Sequence, residues 1–490
     1  VMQRSVPLPI QGSAAPGTRV QVSITGVIPE RSADSEFGKA TVQVHELKTT
    51  SVAKRDGTWR AMMPPLEAGG PITLTITIGD EQPRVFSDIL IGEVWVCSGQ
   101  SNMQWALRRT DKGPEEAKQA NLPRVRMFTV GRHPSADRVQ PRVTGEWAVC
   151  SPDVAKEFSA VGYYFGKELL ISQDLPIGLI DNAWGGMPVE TYMSRQTLES
   201  LPAAKPLLER YAKAMANYDQ AMADYKTKLE ELPEGQRRPR KPWGPDSPNA
   251  PSALYRGMTV ALADMPIKGV IWYQGESNAR DPVGYRTLFP AMIEDWRKLW
   301  DQPELPFFFV QLANFKAPQT EPVEINSWAD LREAQTMALK LPKTGMAVTL
   351  DVGDAKDIHP RDKKTVGQRL ALAAKAIVYD MDVVYSGPKY KAMKIEGDSI
   401  RLSFDHVGGG LKTQGEELIG FAIAGNDQNW HWATARIDGD TVVAKSDNVP
   451  NPVAVRYAWA NNPKISLYNT AGLPASSFRT DDWPLNDKDR

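Results

Sequence analysis

From about residue 89 to residue 385, short apolar segments alternate with stretches that have the period of an amphipathic helix. In one such stretch, Leu288, Met292 and Trp296 recur on a single helical face. This alternation predicts an α/β fold, in which helices cover both faces of a mostly parallel sheet and ligands bind at the carboxyl ends of the strands. The predicted strands are residues 93–97, 125–130, 177–181, 269–273, 307–312 and 347–350.

The segments on either side of this region have the period of β-strands. Val20, Val22 and Ile24 alternate with polar residues, and the same pattern returns at Ile400 and Leu402. We therefore predict an N-terminal β-sandwich and a C-terminal β domain around the α/β domain. The three predicted domains are residues 1–88, 89–385 and 386–490.

One long stretch interrupts the strand–helix pattern. The pattern of residues 205–232 predicts a charged, mostly solvated helix, and the proline content of residues 233–252 predicts a loop. A loop of this length is either functional or disordered. We treat residues 205–252 as an insertion in the α/β domain.

The charge balance argues against some partners. With 58 basic and 59 acidic side chains, the formal net charge is −1, so we expect no binding to nucleic acid. No run approaches the roughly 18 apolar residues of a membrane span. The chain begins with Val1, which we interpret as a processed or trimmed terminus. We expect a secreted or periplasmic protein whose signal peptide has been removed.

The most informative stretch is residues 93–103, where an apolar strand runs into the turn SGQSN. A tight turn containing glycine can expose a serine hydroxyl over the sheet edge and leave backbone N–H groups free to receive an oxyanion. Such a hydroxyl needs a base within about 3 Å. Alternatively, Ser98 and Ser101 are ordinary turn residues.

The five histidines can be ranked as candidate bases by their position relative to the predicted sheet. His359 follows a strand of the α/β region, where its imidazole could reach Ser101, although a loop histidine can equally be an exposed polar residue. The other four lie in the flanking β regions or in a polar loop: His45, His133, His406 and His431.

Two further predicted strands end in turns that suit a site. Residues 178–186 end in a double glycine, which can direct an N–H towards an oxyanion or form an ordinary tight turn. Residues 269–278 form a buried strand followed by a cluster of polar residues and glycine. A site explains such a cluster better than solvation alone.

Taken together and in order, these segments resemble the sialate O-acetylesterase family of SGNH hydrolases. The resemblance covers roughly residues 89–380 and extends to the flanking β regions. Its blocks are CSGQSNM (97–103), WGGMPVE (184–190), WYQGESNA (272–279) and DIHPRDK (357–363), the last preceding GQRL (367–370). The resemblance implies an SGNH, flavodoxin-like sheet and a serine esterase that removes acetyl groups from a sugar.

The resemblance also implies roles for individual residues. Ser101 is the nucleophile and His359 the base. The oxyanion donors are the Ser101 N–H, the N–H of Gly186 or Gly185, and a side chain that we take to be Gln274. From their places in or beside the blocks, we assign five residues to substrate binding: Gln100, Asn102, Trp184, Asn278 and Arg280.

The acid that orients His359 stays open. The superfamily often has an acid three residues before the histidine, but that position is Lys356 here. Asp357 can point to the same side as His359 from an extended stretch, and Asp354 and Glu276 are alternatives. In some relatives a backbone carbonyl holds the imidazole instead.

Rival functions come from other classes. A non-catalytic carbohydrate-binding protein could use tryptophans as stacking surfaces, whereas a lipase or thioesterase on the same fold would need an apolar acyl channel that no segment indicates. The tryptophans considered are Trp184, Trp243, Trp430 and Trp432.

The sugar itself is open, since acetylated sialic acid, xylan and other glycans all fit the resemblance. An anionic sugar would favour a cation near the pocket, such as Arg280 or an arginine of residues 233–252. We predict no metal and no cofactor, because one base histidine and isolated acids do not form a ligand set. A bridge between Cys97 and Cys150 and the oligomeric state are not decided by the sequence.

Overall fold

The computed structural model of the protein describes residues 1–30, 40–233, 235–325 and 328–484, and of residues 27–30 and 40–45 it describes the backbone only. Six strands precede the long strand that enters the α/β region. They are β1 (Met2–Gln3), β2 (Leu8–Ser13), β3 (Arg19–Glu30), β4 (Ala40–Val52), β5 (Thr58–Met63) and β6 (Gly69–Ile78).

The N-terminal strands form two sheets that share one apolar core. β3 pairs antiparallel with β4 on one side and with β6 on the other, while β2 pairs with β5 in the second sheet. Val20, Val22 and Ile24 lie in this core with no solvent exposure. The alternation predicted for this strand is confirmed, because branched side chains fill one of its faces.

A single long strand, β7 (Arg84–Gly99), joins this region to the central sheet. Its first half pairs antiparallel with β6, and its second half pairs parallel with strands of the α/β region. The boundary predicted at residue 88 therefore falls inside a continuous strand.

The central sheet contains β7 and six further strands. They are β8 (Leu122–Thr129), β9 (Trp147–Cys150), β10 (Ile177–Ala183), β11 (Gly269–Tyr273), β12 (Phe307–Val310) and β13 (Thr344–Ala347). The order is β13-β12-β11-β7-β10-β8-β9, and every neighbouring pair is parallel except β8 with β9 at one edge. The mostly parallel sheet is confirmed, with an antiparallel edge strand that the sequence pattern does not indicate.

Two predicted strands extend too far at their carboxyl ends. β12 stops at Val310, whereas the sequence predicts a strand to residue 312; β13 spans Thr344–Ala347, so the strand predicted at residues 347–350 overlaps it only at Ala347. Residues 348–350 stay buried beyond the sheet, and Thr349 Oγ1 donates to the Gln311 carbonyl at 2.5 Å. A buried apolar loop has the same pattern as a buried strand, so periodicity cannot separate them.

The helices lie mainly between the strands of the central sheet. The α-helices are α1 (Ser101–Gln104), α2 (Gly113–Lys118), α3 (Pro152–Ala155), α4 (Ala160–Gln173), α5 (Arg195–Ser200), α6 (Lys205–Ala216), α7 (Tyr218–Glu230), α8 (Pro282–Leu299), α9 (Trp328–Met337) and α10 (Lys363–Ile377). Short 3₁₀-helices span Leu107–Arg109, Val189–Tyr192, Pro202–Ala204, Val260–Leu262, Glu276–Asn278 and Ala338–Lys340, and a π-helix spans Tyr255–Thr259. Within the described ranges, none of the helices has both the length and the apolar character needed to cross a bilayer.

Alternate residues of β7 face opposite sides of the sheet. Val94 and Val96 belong to a core that includes α8 and α9, whereas Trp95 and Cys97 belong to a second core that includes α4 and α10. Helices therefore cover both faces, as the alternation predicts.

The insertion differs from its prediction in two ways. It contains two helices, α6 and α7, which meet at Asn217, rather than one. The proline-rich loop packs back on α6, with the rings of Tyr211 and Trp243 5.0 Å apart and with Ala250 and Ala253 in the same small apolar cluster. Charge and proline content did not reveal this packing because the contacts are few and distant in sequence.

The C-terminal region is formed by short antiparallel strands. They are β14 (Lys389–Glu396), β15 (Ser399–Asp405), β16 (Leu411–Thr413), β17 (Phe421–Ala424), β18 (Trp430–Trp432), β19 (Thr434–Asp438), β20 (Thr441–Lys445), β21 (Ala454–Tyr457), β22 (Leu467–Asn469) and β23 (Phe478–Arg479). They form the sheets β14-β15-β20-β19 and β18-β17-β21-β23 and the pair β16-β22. The predicted C-terminal β region is confirmed up to residue 484.

A buried arginine joins this region to the α/β region. Arg332 of α9 is fully buried and donates to the carbonyl oxygens of Leu312, Ala313, Ala460 and Asn461 at 2.7–2.9 Å. Hydrogen bonds from a charged donor are stronger than those between neutral groups. The loop after β12 is thereby held against the C-terminal strands.

Candidate active site

The turn after β7, residues 98–104, is called the serine turn here. Ser98 is fully buried, and its Oγ donates to the Asn182 carbonyl at 3.0 Å. Gly99 has a φ of 132°, and a Cβ at this position would lie 2.2 Å from the Tyr273 carbonyl oxygen, so only glycine fits. The chain then starts α1 at Ser101, the serine of this turn that keeps some exposure.

The base candidate reaches Ser101 from the loop between β13 and α10, residues 351–362, which we call the histidine loop. His359 Nε2 lies 2.9 Å from Ser101 Oγ, although the two residues are 258 positions apart. This is hydrogen-bonding distance for proton transfer. The structure thus brings together the two residues that the sequence nominated.

The other histidines lie elsewhere. His133 Nε2 contacts Thr144 Oγ1 at 2.9 Å, and the His406 ring packs on Tyr385. His431 lies in β18 of the C-terminal region. The side chain of His45 is outside the described part of the structure.

Asp357 is the acid beside the imidazole. Its Oδ1 lies 3.3 Å from His359 Nδ1 and accepts the His359 backbone N–H at 2.9 Å. Asp354 instead accepts the backbone N–H groups of Lys356 and Asp357 at 2.7 and 3.3 Å. Of the acids left open by the sequence, Asp357 has the contact that can hold the imidazole tautomer.

Burial lowers the pKa of His359, and the cation of Lys363 acts in the same direction, whereas Asp357 raises it. The lowering prevails, so the imidazole is mainly neutral near pH 7. A neutral imidazole is the form that can accept a proton from Ser101.

Trp105 covers one face of the imidazole. The two rings are stacked, with centroids 4.8 Å apart and an angle of 14° between their planes. Arg109 lies 5.5 Å from the indole centroid, and its carbonyl accepts the indole N–H at 3.2 Å. Trp105 is not among the residues predicted from the sequence, although it directly follows α1, which begins at Ser101.

Glu276 does not serve as the acid for His359 in this geometry, which corrects one of the alternatives. Its Oε1 accepts a hydrogen bond from Asn102 Nδ2 at 2.5 Å, and its Oε2 is buried. Burial raises the pKa of Glu276. This carboxyl group therefore belongs to a buried network beneath the serine turn.

Asn102 belongs to the same network and is only 1% exposed, so it cannot face a substrate. Its Nδ2 also donates to the Ile358 carbonyl at 3.0 Å, and its Oδ1 accepts a hydrogen bond from Lys363 Nζ. The substrate-binding assignment of Asn102 is therefore wrong for this conformation, because every polar atom of the side chain is used internally.

The backbone donors predicted for an oxyanion are the N–H groups of Ser101 and of Gly186 or Gly185. The Ser101 N–H opens α1, where amides have no acceptor within the helix. Gly185, the alternative donor, gives its N–H to Gln104 Oε1 at 2.9 Å. A Cβ on Gly185 would lie 3.3 Å from Ser101 Cβ, so the double glycine runs close beside the serine. Gly186 is exposed, and its N–H has no acceptor among the described residues.

Gln274 opens the turn after β11, residues 274–278, which we call the glutamine turn. Its side chain is fully buried: Nε2 donates to Asn278 Oδ1 at 2.6 Å and to the Met187 carbonyl at 3.3 Å. Its Oε1 accepts from Tyr285 Oη at 2.9 Å. In this arrangement Gln274 has no N–H left for an oxyanion, contrary to the role we predict for it.

Two more assigned residues brace the glutamine turn. Gln100 is 3% exposed, and its Oε1 accepts the Ser277 N–H at 3.3 Å. Asn278 accepts the Val189 N–H and donates to Glu190 Oε2, both at 2.9 Å. Gln100 is therefore not available to a substrate, whereas Asn278 also borders a cavity.

That cavity lies beside the glutamine turn and has a volume of about 780 Å³. Asn278 and Arg280 line one side, and Arg210 and Lys213 of α6 line the other. Among the described residues, Arg210, Lys213 and Arg280 form no ion pair. Glu190, Glu209 and Asp281 add carboxyl groups to the lining, so the cavity is polar and of mixed charge.

Trp184, also assigned to substrate binding, is half-buried at the start of the double glycine. Its backbone N–H donates to the Gly99 carbonyl and to Tyr192 Oη, both at 3.0 Å. The guanidinium of Arg132 lies 5.3 Å from the centroid of its indole ring. One face of the indole is therefore already taken by a cation.

The cysteines do not form a bridge, since Cys97 and Cys150 are both buried free thiols. Burial raises the pKa of Cys97 well above its usual range and that of Cys150 to about 11. Both thiols are thus unreactive core residues. Among the described residues, no group of three or more metal-binding side chains converges.

Known proteins resemble the chain over most of its length. Residues 240–376 match the family model described as carbohydrate esterase, sialic acid-specific acetylesterase. The sialate O-acetylesterase of Rattus norvegicus is 30% identical over 480 residues, which cover 88% of this chain and 85% of the rat protein. The chain belongs to the sialate O-acetylesterase family.

Two other relatives support the same family assignment. The Homo sapiens sialate O-acetylesterase is 28% identical over 512 residues, covering 96% of this chain and 88% of the human protein. The crystal structure of a carbohydrate acetylesterase from Xanthomonas citri is 38% identical, with a TM-score of 0.81, and covers 98% of this chain and 97% of that one. This sialate O-acetylesterase family member is an esterase. Its family-model match contains the histidine loop and the glutamine turn, and the serine turn lies outside it.

Proposed function

We propose that this esterase removes O-acetyl groups from a sugar through a covalent acyl-serine intermediate. Ser101 is the nucleophile, His359 the general base and Asp357 the group that orients the imidazole. The observation that carries the proposal is the 2.9 Å contact between His359 Nε2 and Ser101 Oγ. A serine hydroxyl is a weak nucleophile until such a base accepts its proton.

The reaction runs in two steps. Ser101 Oγ attacks the acetyl carbonyl while its proton passes to His359 Nε2, and the resulting oxyanion accepts hydrogen bonds from the Ser101 and Gly186 N–H groups. Each well-placed donor lowers the barrier by about 3–4 kcal/mol. His359 then protonates the sugar oxygen as its bond to the acetyl carbon breaks. A water molecule, deprotonated by His359, then attacks the acyl carbon; the bond from that carbon to Ser101 Oγ breaks, His359 returns the proton to Ser101 Oγ, and acetate leaves.

We further propose that the sugar is acidic. Arg210, Lys213 and Arg280 line the cavity beside the glutamine turn and form no ion pair with its carboxyl groups Glu190, Glu209 and Asp281, so these cations are available to a substrate carboxylate. The mammalian relatives are sialate O-acetylesterases, which supports the same choice. A neutral acetylated glycan such as xylan is the alternative, favoured by the general name of the Xanthomonas citri protein.

We also propose that residues 89–385 form an SGNH hydrolase domain with a flavodoxin-like sheet, flanked by β domains over residues 1–88 and 386–490. The position of the serine turn after the central strand β7 and of the histidine loop after the edge strand β13 supports this. Fold alone does not set the acyl group, so a lipase or thioesterase remains the rival for the experiment to exclude.

The test measures acetate release from O-acetylated sialic acid, O-acetylated xylo-oligosaccharides and a longer-chain acyl ester. We expect acetate from the sialic acid ester first, little reaction with the long chain, and no activity in Ser101→Ala. Ser98→Ala is the matched control, because Ser98 lies in the same turn but is buried and its Oγ donates to the Asn182 carbonyl, away from His359. Activity retained in a folded Ser101→Ala protein would refute the serine mechanism. Preference for the xylan ester would refute the acidic sugar.

A further inference from the structure

Lys363 is a buried cation close to the reacting groups. It is the first residue of α10 and has no solvent exposure. Its Nζ donates to Asn102 Oδ1 and lies 5.1 Å from the centroid of the Tyr273 ring. Lysine is rarely fully buried, because removing its charge from water is costly unless partners compensate. The mechanism proposed above gives this lysine no role.

Asn102 links Lys363 to both halves of the site. The two Nδ2 hydrogens are directed to Glu276 Oε1 at 2.5 Å and to the Ile358 carbonyl at 3.0 Å. Because Lys363 occupies the oxygen side of this amide, the orientation of the amide is fixed. Asn102 directly follows Ser101, and Ile358 directly precedes His359. One amide therefore joins the serine turn to the histidine loop.

We propose that Lys363 is a positioning residue: through Asn102 it holds the peptide before His359 against the serine turn, and its cation faces the imidazole from the buried side. The proposal rests on the roles given above to Ser101 and His359. Its physical basis is that a small misplacement of reacting groups slows catalysis strongly.

The charges around Lys363 support this arrangement. The groups that face it are Glu276 after β11 and Asp357 and Asp362 in the histidine loop, together with the Tyr273 ring and His359 itself. Burial lowers the pKa of Lys363 to about 7, while the three carboxylates oppose that change. Below that pH the lysine is a cation, and it lowers the pKa of the nearby His359.

The test compares Lys363→Met with Lys363→Arg by the pH dependence of kcat/KM for 4-nitrophenyl acetate. Removing the cation in Lys363→Met should raise the pKa of His359. The acidic limb of the kcat/KM profile, where activity falls as His359 is protonated, should therefore move to higher pH. We also expect kcat to fall by up to about 100-fold with little change in KM. Lys363→Arg keeps the charge, so its limb should stay in place and part of kcat should return.

Two further variants make the outcome decisive. Lys375→Met is the matched control, since Lys375 is a mostly buried lysine of the same helix that pairs with Glu168 at 2.9 Å; it should change the melting temperature without moving the limb. Asn102→Ala breaks the link but leaves the cation, so kcat should fall while the limb stays. This variant also tests the proposal if Lys363→Met does not fold.

The inference is overturned if Lys363→Met keeps the wild-type limb and kcat, if Lys363→Arg behaves like Lys363→Met, or if Asn102→Ala is fully active. Mass-spectrometric detection of a fluorophosphonate adduct on Ser101 is measured in parallel. Failure to label Ser101 in the wild-type protein would refute the proposed function itself, whereas normal labelling with unchanged Lys363 variants would refute only the role of the lysine.

Discussion

The serine turn and the glutamine turn follow neighbouring strands, and both use buried polar side chains to brace the backbone, but the serine turn also leaves one hydroxyl for a titratable partner. Tyr273 at the end of β11 pairs with Gly99 at the end of β7, so both turns start at the same edge of the sheet. In the serine turn, the Ser101 hydroxyl is left to contact a side chain of another loop. In the glutamine turn, Gln274 and Asn278 bond each other and the surrounding chain.

The difference shows that polarity after a buried strand does not by itself identify the reacting group. A buried amide must satisfy all its hydrogen-bonding atoms, and once it does so it braces the backbone. A group that meets a titratable partner at the rim of a sheet is available for chemistry. On this view the glutamine turn supports the geometry in which the serine turn acts.

The largest expected effect tests the reactive side of the comparison. Replacing His359 by Asn removes the proton acceptor of Ser101, and loss of a triad base lowers kcat by about 10⁴- to 10⁶-fold. Hydrolysis of 4-nitrophenyl acetate measures the loss, and circular dichroism checks that the fold is kept. A folded His359→Asn protein within tenfold of wild type would remove His359 from the mechanism.

Asp357→Asn should have a smaller effect and a characteristic pH signature. We expect kcat to fall by about 10- to 100-fold, less than for a fully buried triad acid, because this carboxylate is partly exposed and 3.3 Å from the imidazole. Since Asp357 raises the pKa of His359, its removal should lower that pKa and move the acidic limb of kcat/KM to lower pH. A limb that moves to higher pH would contradict the assigned contact. The opposite shift is expected for Lys363→Met, so the two variants form an internal check.

Trp105→Ala should lower kcat by less than Asp357→Asn does. The indole stacks on the imidazole at 4.8 Å between centroids and can stabilise the imidazolium formed during the reaction. An interaction of this kind contributes about 1 kcal/mol, which corresponds to roughly a fivefold fall in kcat. Trp105→Phe keeps an aromatic face and should recover most of the rate. Equal losses in the two variants would mean that packing around α1, and not stacking, sets the effect.

Much of this architecture could be predicted from the sequence because it depends on local patterns. Strand-ending turns nominated Ser101, and elimination among the histidines nominated His359, since both arguments need only the position of a residue relative to the sheet. The resemblance to a known family then strengthened both choices.

Other features could not be predicted, because they depend on how loops distant in sequence fold against each other. The sequence could not choose among Asp357, Asp354 and Glu276, since their roles follow from the path of the histidine loop. Likewise, burial of Gln274 and Asn102 is a property of tertiary packing, whereas both look like available polar residues in the sequence. Trp105 was missed because its partner comes from a remote loop.

The smallest kinetic effect is expected where the glutamine turn is altered, and it is the sharpest test of the comparison. Gln274→Ala removes the hydrogen-bond partner of Tyr285 Oη and of the Met187 carbonyl, and it leaves Asn278 Oδ1 with the Val189 N–H alone. Unsatisfied buried polar groups cost about 1–3 kcal/mol, so denaturant unfolding should reveal a loss of stability while kcat stays within about threefold of wild type. The exposed Ser277 of the same turn provides the control, because Ser277→Ala should change neither quantity. If Gln274 were instead an oxyanion donor, kcat would fall by about 10²- to 10³-fold with stability little changed. That result would return the side chain to the reaction and require it to leave its present partners when substrate binds.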